Sequence, residues 1–412
     1  MLRRMLTNFI KTGRLTVIEA NGRRYSVGDP AAPQPGVTVR LSGRFTLLRL
    51  FIHPQLYLGE AYMNGGLIVE RGSLWDLFEL CGRNLQNLGR PTQSRLVRLV
   101  QNAACLLQQW NSRGTARRNA AHHYDLSYDL YRRFLDEDLQ YSCAYFADKD
   151  MTLGEAQAAK KQHIAAKLNL APGQRVLDIG CGFGGLALSL ARDHGARVTG
   201  ITLSQQQFAI AQKRAAELAD KVSFEIRDYR EIEGPFDRIV SVGMFEHVGA
   251  PNYQTFFDAV ARLLTEDGVA LIHSIGRADP PRLTDPWIRK YIFPGGYIPS
   301  LSEVLPAVER AGLWVTDIEV LRLHYAETLR CWRERFLKDR AAIRVIYDDR
   351  FCRMWEFYLA LSEMAFRYDT LMVFQLQLTR RIGTMPVTRD YMFEAEQAAG
   401  FSLRNVQRSR AV

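Results

Sequence analysis

The sequence predicts an α/β protein whose core is a doubly wound, mostly parallel β-sheet. Two observations predict it. Beyond residue 170, strand-like apolar segments alternate with helical ones, in the order RVLDIG, ARVTGIT, VSFEIRD, FDRIVSVG, GVALIHSIG, WVTDIEVLRLH and MVFQLQL. The first of these segments runs directly into a glycine-rich turn, and a helix follows. In sheets built this way, ligands bind at the C-terminal ends of the strands.

The composition is that of a folded protein with an anionic partner. The chain of 412 residues is long enough for two domains, and its 47% apolar and 24% charged residues exclude a disordered or fibrous protein. Lys and Arg number 54 against 44 Asp and Glu, which gives a net charge of +10. This excess favours nucleic acid, a phosphate ligand or an anionic membrane surface as the partner.

Membrane spans, secretion signals and metal sites are not expected. All apolar runs are shorter than the roughly 20 residues of a spanning helix, and the start MLRRMLTNFIKTGRL lacks the signal-peptide pattern. The six cysteines form no CxxC pair, so neither a zinc site nor a disulfide framework is expected. This cysteine usage fits a reducing cytoplasm.

The N-terminal third, residues 1–110, is predicted to be a small α+β domain. Residues 2–10 carry apolar side chains at helical spacing, with basic residues off that stripe. The pair Asn21-Gly22 interrupts an alternating segment, which indicates a β-hairpin. VTVRL and GLIVE are typical of further strands, and helical sequence begins at Leu74.

The remaining boundaries follow from composition. Residues 111–120 are polar, basic and glycine-containing, as in a linker. Residues 121–384 are expected to form the α/β domain that contains the predicted sheet, with a helical, aromatic-rich insertion at about 326–370. Residues 385–412 are expected to form a polar C-terminal tail.

The glycine-rich turn is the candidate nucleotide site. Gly180, Gly182 and Gly185 satisfy GxGxxG, the pattern of dinucleotide-binding turns. Two details disfavour a dinucleotide and favour S-adenosylmethionine. Asp178, two residues before the first glycine, suits a cationic amino-acid end better than a pyrophosphate. The second strand and its end, residues 198–204, lack the acid that a dinucleotide fold uses.

A second candidate cofactor contact follows the third strand, at Asp228-Tyr229. The carboxylate could accept a hydrogen bond from an adenine amine, and the ring could stack on the base. The same aspartate could instead cap the next turn, and these two residues alone leave both interpretations open.

Further blocks occur in the order found in one known family: HYDL at 123–126, then YSCAY, VLDIGCGFGGLA, GITLSQQQ, DYR, SVGMFEHVG, LIHSIG, WIRKYIFPGGYIPSL, HYAETL and YDDRFCRMWEFYL. By these blocks the chain resembles the cyclopropane-fatty-acyl-phospholipid synthases, relatives of the mycolic acid cyclopropane synthases and methyltransferases. The N-terminal block FIHPQLYLGEAYMNGGL resembles the longer, phospholipid-acting members. One departure is Ser127, where those longer members usually carry glycine.

The resemblance implies a class I S-adenosylmethionine-dependent methyltransferase fold with an antiparallel last strand, preceded by a lipid-carrier-like domain. It also implies transfer of a methylene group to the cis double bond of a phospholipid acyl chain, through a carbocation that bound bicarbonate deprotonates. The chemistry agrees, because a cation on an acyl chain needs a dry channel, electrostatic stabilisation and one placed base. In this chain the family's bicarbonate site corresponds to Cys143, Glu246, His273, the backbone of Ile275, and Tyr325.

The resemblance also implies the residues that bind S-adenosylmethionine, with Thr202 and Gln207 taking the place of the missing ribose-binding acid. It supports Tyr124, Gly180, Gly182, Thr202, Gln207, Asp228 and Tyr229, and Asp178 completes the set from its position before the glycines. Taken singly, Cys143 and His273 are more typical of core packing. Together they could also suggest a thiol hydrolase, although no nucleophile turn surrounds Cys143.

The expected partners follow from the substrate. An acyl double bond lies inside a bilayer, so the enzyme is expected to dock peripherally on an anionic phospholipid membrane, from the cytoplasmic side. The basic charge and the first helix suit that surface, although the helix could equally pack on its own domain. The resemblance implies a homodimer, and the aromatic insertion is expected to line the acyl channel.

Three alternatives stay open. The same cation could lose a different proton and give a methylene- or methyl-branched chain. A nucleic-acid methyltransferase would suit the charge, but no nucleic-acid partner is expected. The segment Met244-Phe245-Glu246-His247 stands where the amino-methylating [DN]PP[YFW] box belongs, and no RNA-binding signature is present. A non-catalytic lipid carrier would fit the N-terminal third alone.

Overall fold

The computed structural model describes residues 2–31, 36–88 and 127–400. Contacts divide these residues into two compact units. Unit 1 contains residues up to 88 together with 283–294 and 329–371, and unit 2 contains residues 127–282, 295–328 and 372–400. None of the described helices combines the length and apolar character needed to cross a membrane.

The strands and helices have the following bounds. The strands are β1 Arg14–Ile18, β2 Arg24–Gly28, β3 Val37–Leu41, β4 Leu67–Arg71, β5 Arg175–Ile179, β6 Arg197–Thr202, β7 Val222–Ile226, β8 Phe236–Val242, β9 Leu264–Arg277, β10 Trp314–Val320 and β11 Leu371–Thr379. The described helices are α1 Leu2–Phe9, α2 Arg44–Ile52, α3 Pro54–Met63, α4 Leu74–Arg83, α5 Tyr128–Phe134, α6 Leu153–Lys167, α7 Gly185–His194, α8 Gln205–Arg214, α9 Tyr253–Leu263, α10 Pro286–Tyr291, α11 Leu301–Arg310, α12 His324–Lys338, α13 Arg340–Ile346, α14 Asp349–Tyr368 and α15 Asp390–Ala398.

Unit 1 is built on a four-stranded sheet in the order β2-β1-β3-β4. The hairpin predicted at Asn21-Gly22 is confirmed, because β1 and β2 pair antiparallel and Gly22 has a φ of +84°. Phe357 of α14 is buried in this unit against the rings of Tyr62 and Trp287. This aromatic packing explains why the helical insertion groups with N-terminal residues, which the local sequence pattern does not reveal.

Unit 2 contains the predicted doubly wound sheet, with seven strands in the order β10-β11-β9-β8-β5-β6-β7. The pairs β5–β6, β6–β7, β5–β8 and β8–β9 are parallel, and β11 runs antiparallel to β10. The α/β fold with an antiparallel last strand is therefore confirmed. The chain winds in opposite directions from β5, to β6 on one side and β8 on the other, which opens a crevice at their C-terminal ends.

Both faces of this sheet are buried, as its nearly continuous apolar strands require. On β8, Ile239 belongs to one hydrophobic cluster and the next residue, Val240, belongs to the other. On β9, Ile272 and Leu271 divide in the same way. The polar side chains that lie among these strands are therefore costly to bury unless they have hydrogen-bond partners.

Candidate active site

One pocket of unit 2 lies at the C-terminal ends of β5, β6 and β8. Seven of the residues that the sequence suggests for the cofactor line this pocket, and the eighth, Tyr124, lies outside the described residues. The seven are Asp178, Gly180, Gly182, Thr202, Gln207, Asp228 and Tyr229.

The glycine-rich turn forms the floor of this pocket by bringing backbone close to the ligand space. Gly180 has a φ of +83°, and a Cβ there would lie 2.7 Å from Cβ of Met244. Gly182 also has a positive φ, of +55°. Helix α7 begins at Gly185, so its N-terminal amides lie beside the pocket, where they favour negative charge.

Asp178 contributes a buried carboxyl group to the pocket. Its side chain is only 2% exposed, and Oδ2 has no hydrogen-bond partner among the described residues. Burial raises the pKa of this carboxyl to about 7, although the charge of Lys160 opposes the shift. A buried carboxylate oxygen without a partner needs a cationic or hydrogen-bonding ligand, so this residue fits the ammonium group of S-adenosylmethionine.

Asp228, Thr202 and Gln207 of this set already have protein partners. Oδ1 of Asp228 accepts hydrogen bonds from the backbone N–H of Arg230 at 3.0 Å and from its Nε at 2.7 Å. The Thr202 hydroxyl donates to Oε1 of Gln207 at 3.1 Å. An adenine amine at Asp228 would therefore share the carboxylate with Arg230, and Thr202 and Gln207 line the pocket as a hydrogen-bonded pair.

Several residues that line the pocket were not among the cofactor-binding residues suggested by the sequence. Tyr141 and Ser142 line the pocket from the segment before α6, and His247 lines it from the turn after β8. The first two belong to the YSCAY block, which was the available signal for them. Gln140, which also lines the pocket, carried no sequence signal.

Glu246 and Ile275 meet where β8 and β9 end. Glu246 lies in the short turn Phe245–His247, and its Oε1 accepts a hydrogen bond from the Ile275 backbone N–H at 2.6 Å. Oε2 is buried without a hydrogen-bond partner among the described residues. Burial raises the pKa of the Glu246 carboxyl to about 7.

His273 lies on β9, two residues before Ile275, and is almost fully buried. Its Nδ1 lies 3.1 Å from Nε2 of Gln375, on strand β11. Burial lowers the pKa of His273 to about 3, so the imidazole is neutral at physiological pH. The neutral ring presents one N–H donor and one acceptor, and Gln375 determines which nitrogen is which.

Cys143 and Tyr325 lie on two segments that hydrogen bonds join. The N–H of Ala144 donates to the Thr328 hydroxyl at 3.0 Å, and the N–H of Phe146 donates to Nδ1 of His324 at 3.0 Å. Tyr325 therefore lies in the first turn of α12, against the segment that starts at Cys143. Burial raises the pKa of the Cys143 thiol far above its usual range, which disfavours the thiol-hydrolase interpretation because that chemistry needs a thiolate.

Comparisons with known proteins agree with this geometry. The sequence matches the family model described as mycolic acid cyclopropane synthetase over residues 111–376. It is 40% identical over 336 residues to the cyclopropane-fatty-acyl-phospholipid synthase of Escherichia coli strain K12, which covers 81% of this chain and 85% of the relative. It is 36% identical over 411 residues to the tuberculostearic acid methyltransferase of Mycobacterium tuberculosis, which covers 92% of this chain and 90% of the relative.

The solved structures include a mycolic acid cyclopropane synthase in complex with SAH and CTAB. It matches this fold with a TM-score of 0.60 at 34% identity, over 64% of this chain and 97% of that one. Its bound product cofactor agrees with the fit of the pocket to S-adenosylmethionine. From the family match, the identity to full-length relatives and the fold, the chain belongs to the mycolic acid cyclopropane synthetase family and is an S-adenosylmethionine-dependent methyltransferase.

Proposed function

We propose that the protein converts cis double bonds in phospholipid acyl chains to cyclopropanes, with bicarbonate as the base. The observation that carries this proposal is the pair of buried, partnerless carboxylate oxygens on Asp178 and Glu246. One faces a cofactor pocket, and the other lies beside the strand end that carries His273. A cation-binding site next to a second buried polar site suits a methyl transfer followed by a proton removal.

We assign binding of the methyl donor to the pocket at the ends of β5, β6 and β8. S-adenosylmethionine, when bound, supplies an electrophilic methyl group. Asp178 would bind the ammonium of its amino-acid end, and the backbone at Gly180 and Gly182 would allow the ligand to approach closely. Tyr229 would stack on the adenine, and its exposure to the pocket supports that role.

We assign the proton removal to the five residues that the family resemblance implies, of which Glu246 and Ile275 are joined by a hydrogen bond. Cys143, His273 and Tyr325 would supply hydrogen-bond donors of the kind that hold a small anion. Glu246, whose Oε1 is held by the Ile275 N–H, would supply an acceptor for an O–H group. Bicarbonate held there would supply a base for the proton of the transferred carbon. Because the thiol stays protonated and His273 has one nitrogen against Gln375, the site contains no strong side-chain nucleophile that would trap a carbocation.

The assignment of a phospholipid substrate is supported by the surface of unit 1 and by the positive charge of the chain. Leu48 and Ile52 of α2 are 54% and 66% exposed, and Arg3 and Arg4 of α1 are exposed as well. Apolar and basic side chains of this kind suit docking on an anionic membrane. We therefore assign unit 1 a lipid-binding role, with a homodimer as the expected assembly and the cytoplasmic membrane face as the expected location.

A second product class is favoured by one specific observation. The tuberculostearic acid methyltransferase of Mycobacterium tuberculosis aligns with 92% of this chain, a larger share than the 81% of the Escherichia coli synthase. A methyl-branched alkene would arise if the cation lost a proton from a chain carbon. A methylene branch would arise if a hydride first moved from the methylated carbon to the cationic carbon and the new methyl group then lost its proton. These products and the cyclopropane are isomers and need a method that distinguishes their protons.

The test is direct. Purified protein is incubated with S-adenosylmethionine, bicarbonate and vesicles of a cis-monounsaturated phospholipid, and the extracted acyl chains are examined by proton NMR. Shielded ring-proton signals with loss of olefinic signal would establish the cyclopropane. Signals of a methylene or methyl branch would assign the second product class. Unchanged lipid, with cofactor binding demonstrated, would refute both phospholipid proposals.

A further inference from the structure

Helix α6 carries a fully buried lysine that the reaction described above does not use. Lys160 is 0% exposed, and its Nζ donates to Oε1 of Gln140 at 2.6 Å and to the Ser142 hydroxyl at 2.8 Å. Gln157, one turn earlier, donates from its side-chain amide to the backbone oxygens of Gln140 and Ser142, at 3.3 and 3.0 Å. One face of α6 thus holds both the side chains and the backbone of this segment.

The segment that Lys160 holds is a wall of the cofactor pocket. Leu139, Gln140, Tyr141 and Ser142 all line the pocket. Leu139 has a φ of +58°, a left-handed conformation that non-glycine residues rarely adopt, so neighbouring contacts must hold the wall in place. The wall leads directly into Cys143 of the proposed anion site.

Acidic side chains from two parts of the chain act on the charge of Lys160. Asp136 and Asp138 precede the wall, and Asp178 lies on β5; each interacts electrostatically with Lys160. Lys161, Cys143 and His273 also interact electrostatically with Lys160. Both acceptors bound by Nζ are neutral, so the ammonium has no direct ion pair within the described residues.

A buried ammonium without a direct ion pair is costly, because it loses hydration and gains only neutral hydrogen bonds. A hydrophobic residue would fill the same volume more cheaply. The cost of burying Lys160 therefore indicates a function that needs both its positive charge and its two hydrogen bonds.

We propose that Lys160 is a positioning residue for the methyl transfer, which holds Gln140 and Ser142 in the pocket wall and supplies the buried positive charge beside Asp178. Its action on the cofactor wall is independent of the lipid substrate. Its action on Cys143 and His273 rests on the proposed function, because only an anion bound there would use the charge.

The test measures S-adenosylhomocysteine affinity by calorimetry on the full-length protein, without lipid or bicarbonate. Lys160→Met is expected to weaken binding by at least about tenfold, because a charged donor to two wall residues is lost. Lys167→Met is the matched control, since Lys167 is an equally buried lysine on α6 that pairs with Asp317 and Glu319 instead. The control is expected to lose thermal stability while keeping its affinity within about twofold.

A folded Lys160→Met protein with wild-type affinity would overturn the proposal. If that variant does not fold, the pH dependence of wild-type affinity for S-adenosylhomocysteine tests the proposal instead. Burial lowers the pKa of Lys160 to about 8, so wild-type affinity is expected to decline as the pH rises through 8. Lys160→Arg stays charged and is expected to remove this decline, whereas an identical decline in that variant would refute the role of the charge.

The two proposals fail separately. Normal lipid turnover with unchanged affinity in Lys160→Met would remove the role of Lys160 and leave the proposed function standing. The expected loss of affinity, with no lipid product from the wild type, would do the reverse.

Discussion

The backbone N–H of Ile275 donates a 2.6 Å hydrogen bond to Oε1 of Glu246, which holds the carboxylate of one strand end against the end of the next strand. The second oxygen, Oε2, is left buried and without a hydrogen-bond partner among the described residues. Oε1 of Glu246 is therefore held by the backbone, whereas Oε2 is available to a ligand.

Glu246→Gln separates the roles of these two oxygens, because glutamine keeps an oxygen for the Ile275 amide but loses the negative charge. We expect kcat to fall by about 100-fold, as for other displaced proton-transfer groups, while S-adenosylhomocysteine affinity changes little. Vesicle turnover and calorimetry on the same preparation measure the two effects. A loss of cofactor affinity comparable to the loss of kcat would contradict the assigned role.

The same carboxyl predicts a pH dependence of turnover. Burial raises the pKa of Glu246 to about 7, so its charged form dominates only above that pH. At saturating cofactor, kcat is expected to fall as the pH decreases through 7, and Glu246→Gln is expected to lack this limb. A wild-type kcat that stays constant between about pH 6 and 8 would show that the ionised carboxylate is not required.

Asp178→Asn tests the cofactor assignment and distinguishes an enzyme from a lipid carrier. Removing the charge that we propose binds the ammonium is expected to weaken S-adenosylhomocysteine binding by at least about tenfold. Calorimetry measures this, and a vesicle-binding assay provides the control, since lipid binding by unit 1 should not change. Retained cofactor affinity would mean that the partnerless oxygen has another ligand.

Gln375→Leu tests the orientation of His273. The amide Nε2 of Gln375 lies 3.1 Å from Nδ1, which makes Nδ1 the acceptor and leaves the proton on Nε2. Removing the amide is expected to shift the tautomer ratio, measured by nitrogen-15 NMR of the ring, and to lower kcat by about tenfold. Gln377→Leu, on the same strand, is the control, because Gln377 bonds to Tyr391 instead. An unchanged tautomer would remove Gln375 from the site.

Glu396→Gln tests how α15 is attached to unit 2. His163 is buried between the carboxylates of Glu396 and Glu319; burial opposes the charge of the ring, but these hydrogen bonds raise its pKa overall. A raised pKa in the folded state stabilises the protein fully below about pH 6.5 and loses that contribution as the pH rises through the folded value.

At pH 6 we therefore expect Glu396→Gln to lower the free energy of unfolding by about 2 kcal/mol, and by less at alkaline pH. Denaturant titrations at the two pH values measure the difference. Glu394→Gln, at an exposed position of the same helix, is the control and should change little at either pH. An equal loss at both pH values would exclude His163 ionisation as the cause.

The strands of unit 2 were predictable because each is an apolar run between turn residues, and the strand ends that carry Asp178 and Glu246 followed from their order. Gln375 and Lys160 were not predictable as site residues, because each is a polar side chain in a buried element whose partner is distant in sequence. A local pattern does not show which distant group compensates a buried polar atom. For the same reason, residues 390–398, within the segment expected to be a polar tail, form a helix with Met392 and Glu396 buried.

The sheet order has a consequence for synthesis on the ribosome. Strand β11 emerges last and yet lies between β9 and β10, next to the strand that carries His273. A nascent or truncated chain ending before residue 371 would already contain β5, β6 and β8, and with them the cofactor turn, but β9 would be an open edge prone to pairing with other chains. The part of the cofactor pocket on these strands can thus assemble early, whereas the contact of His273 with Gln375 forms only when nearly the whole protein has been made.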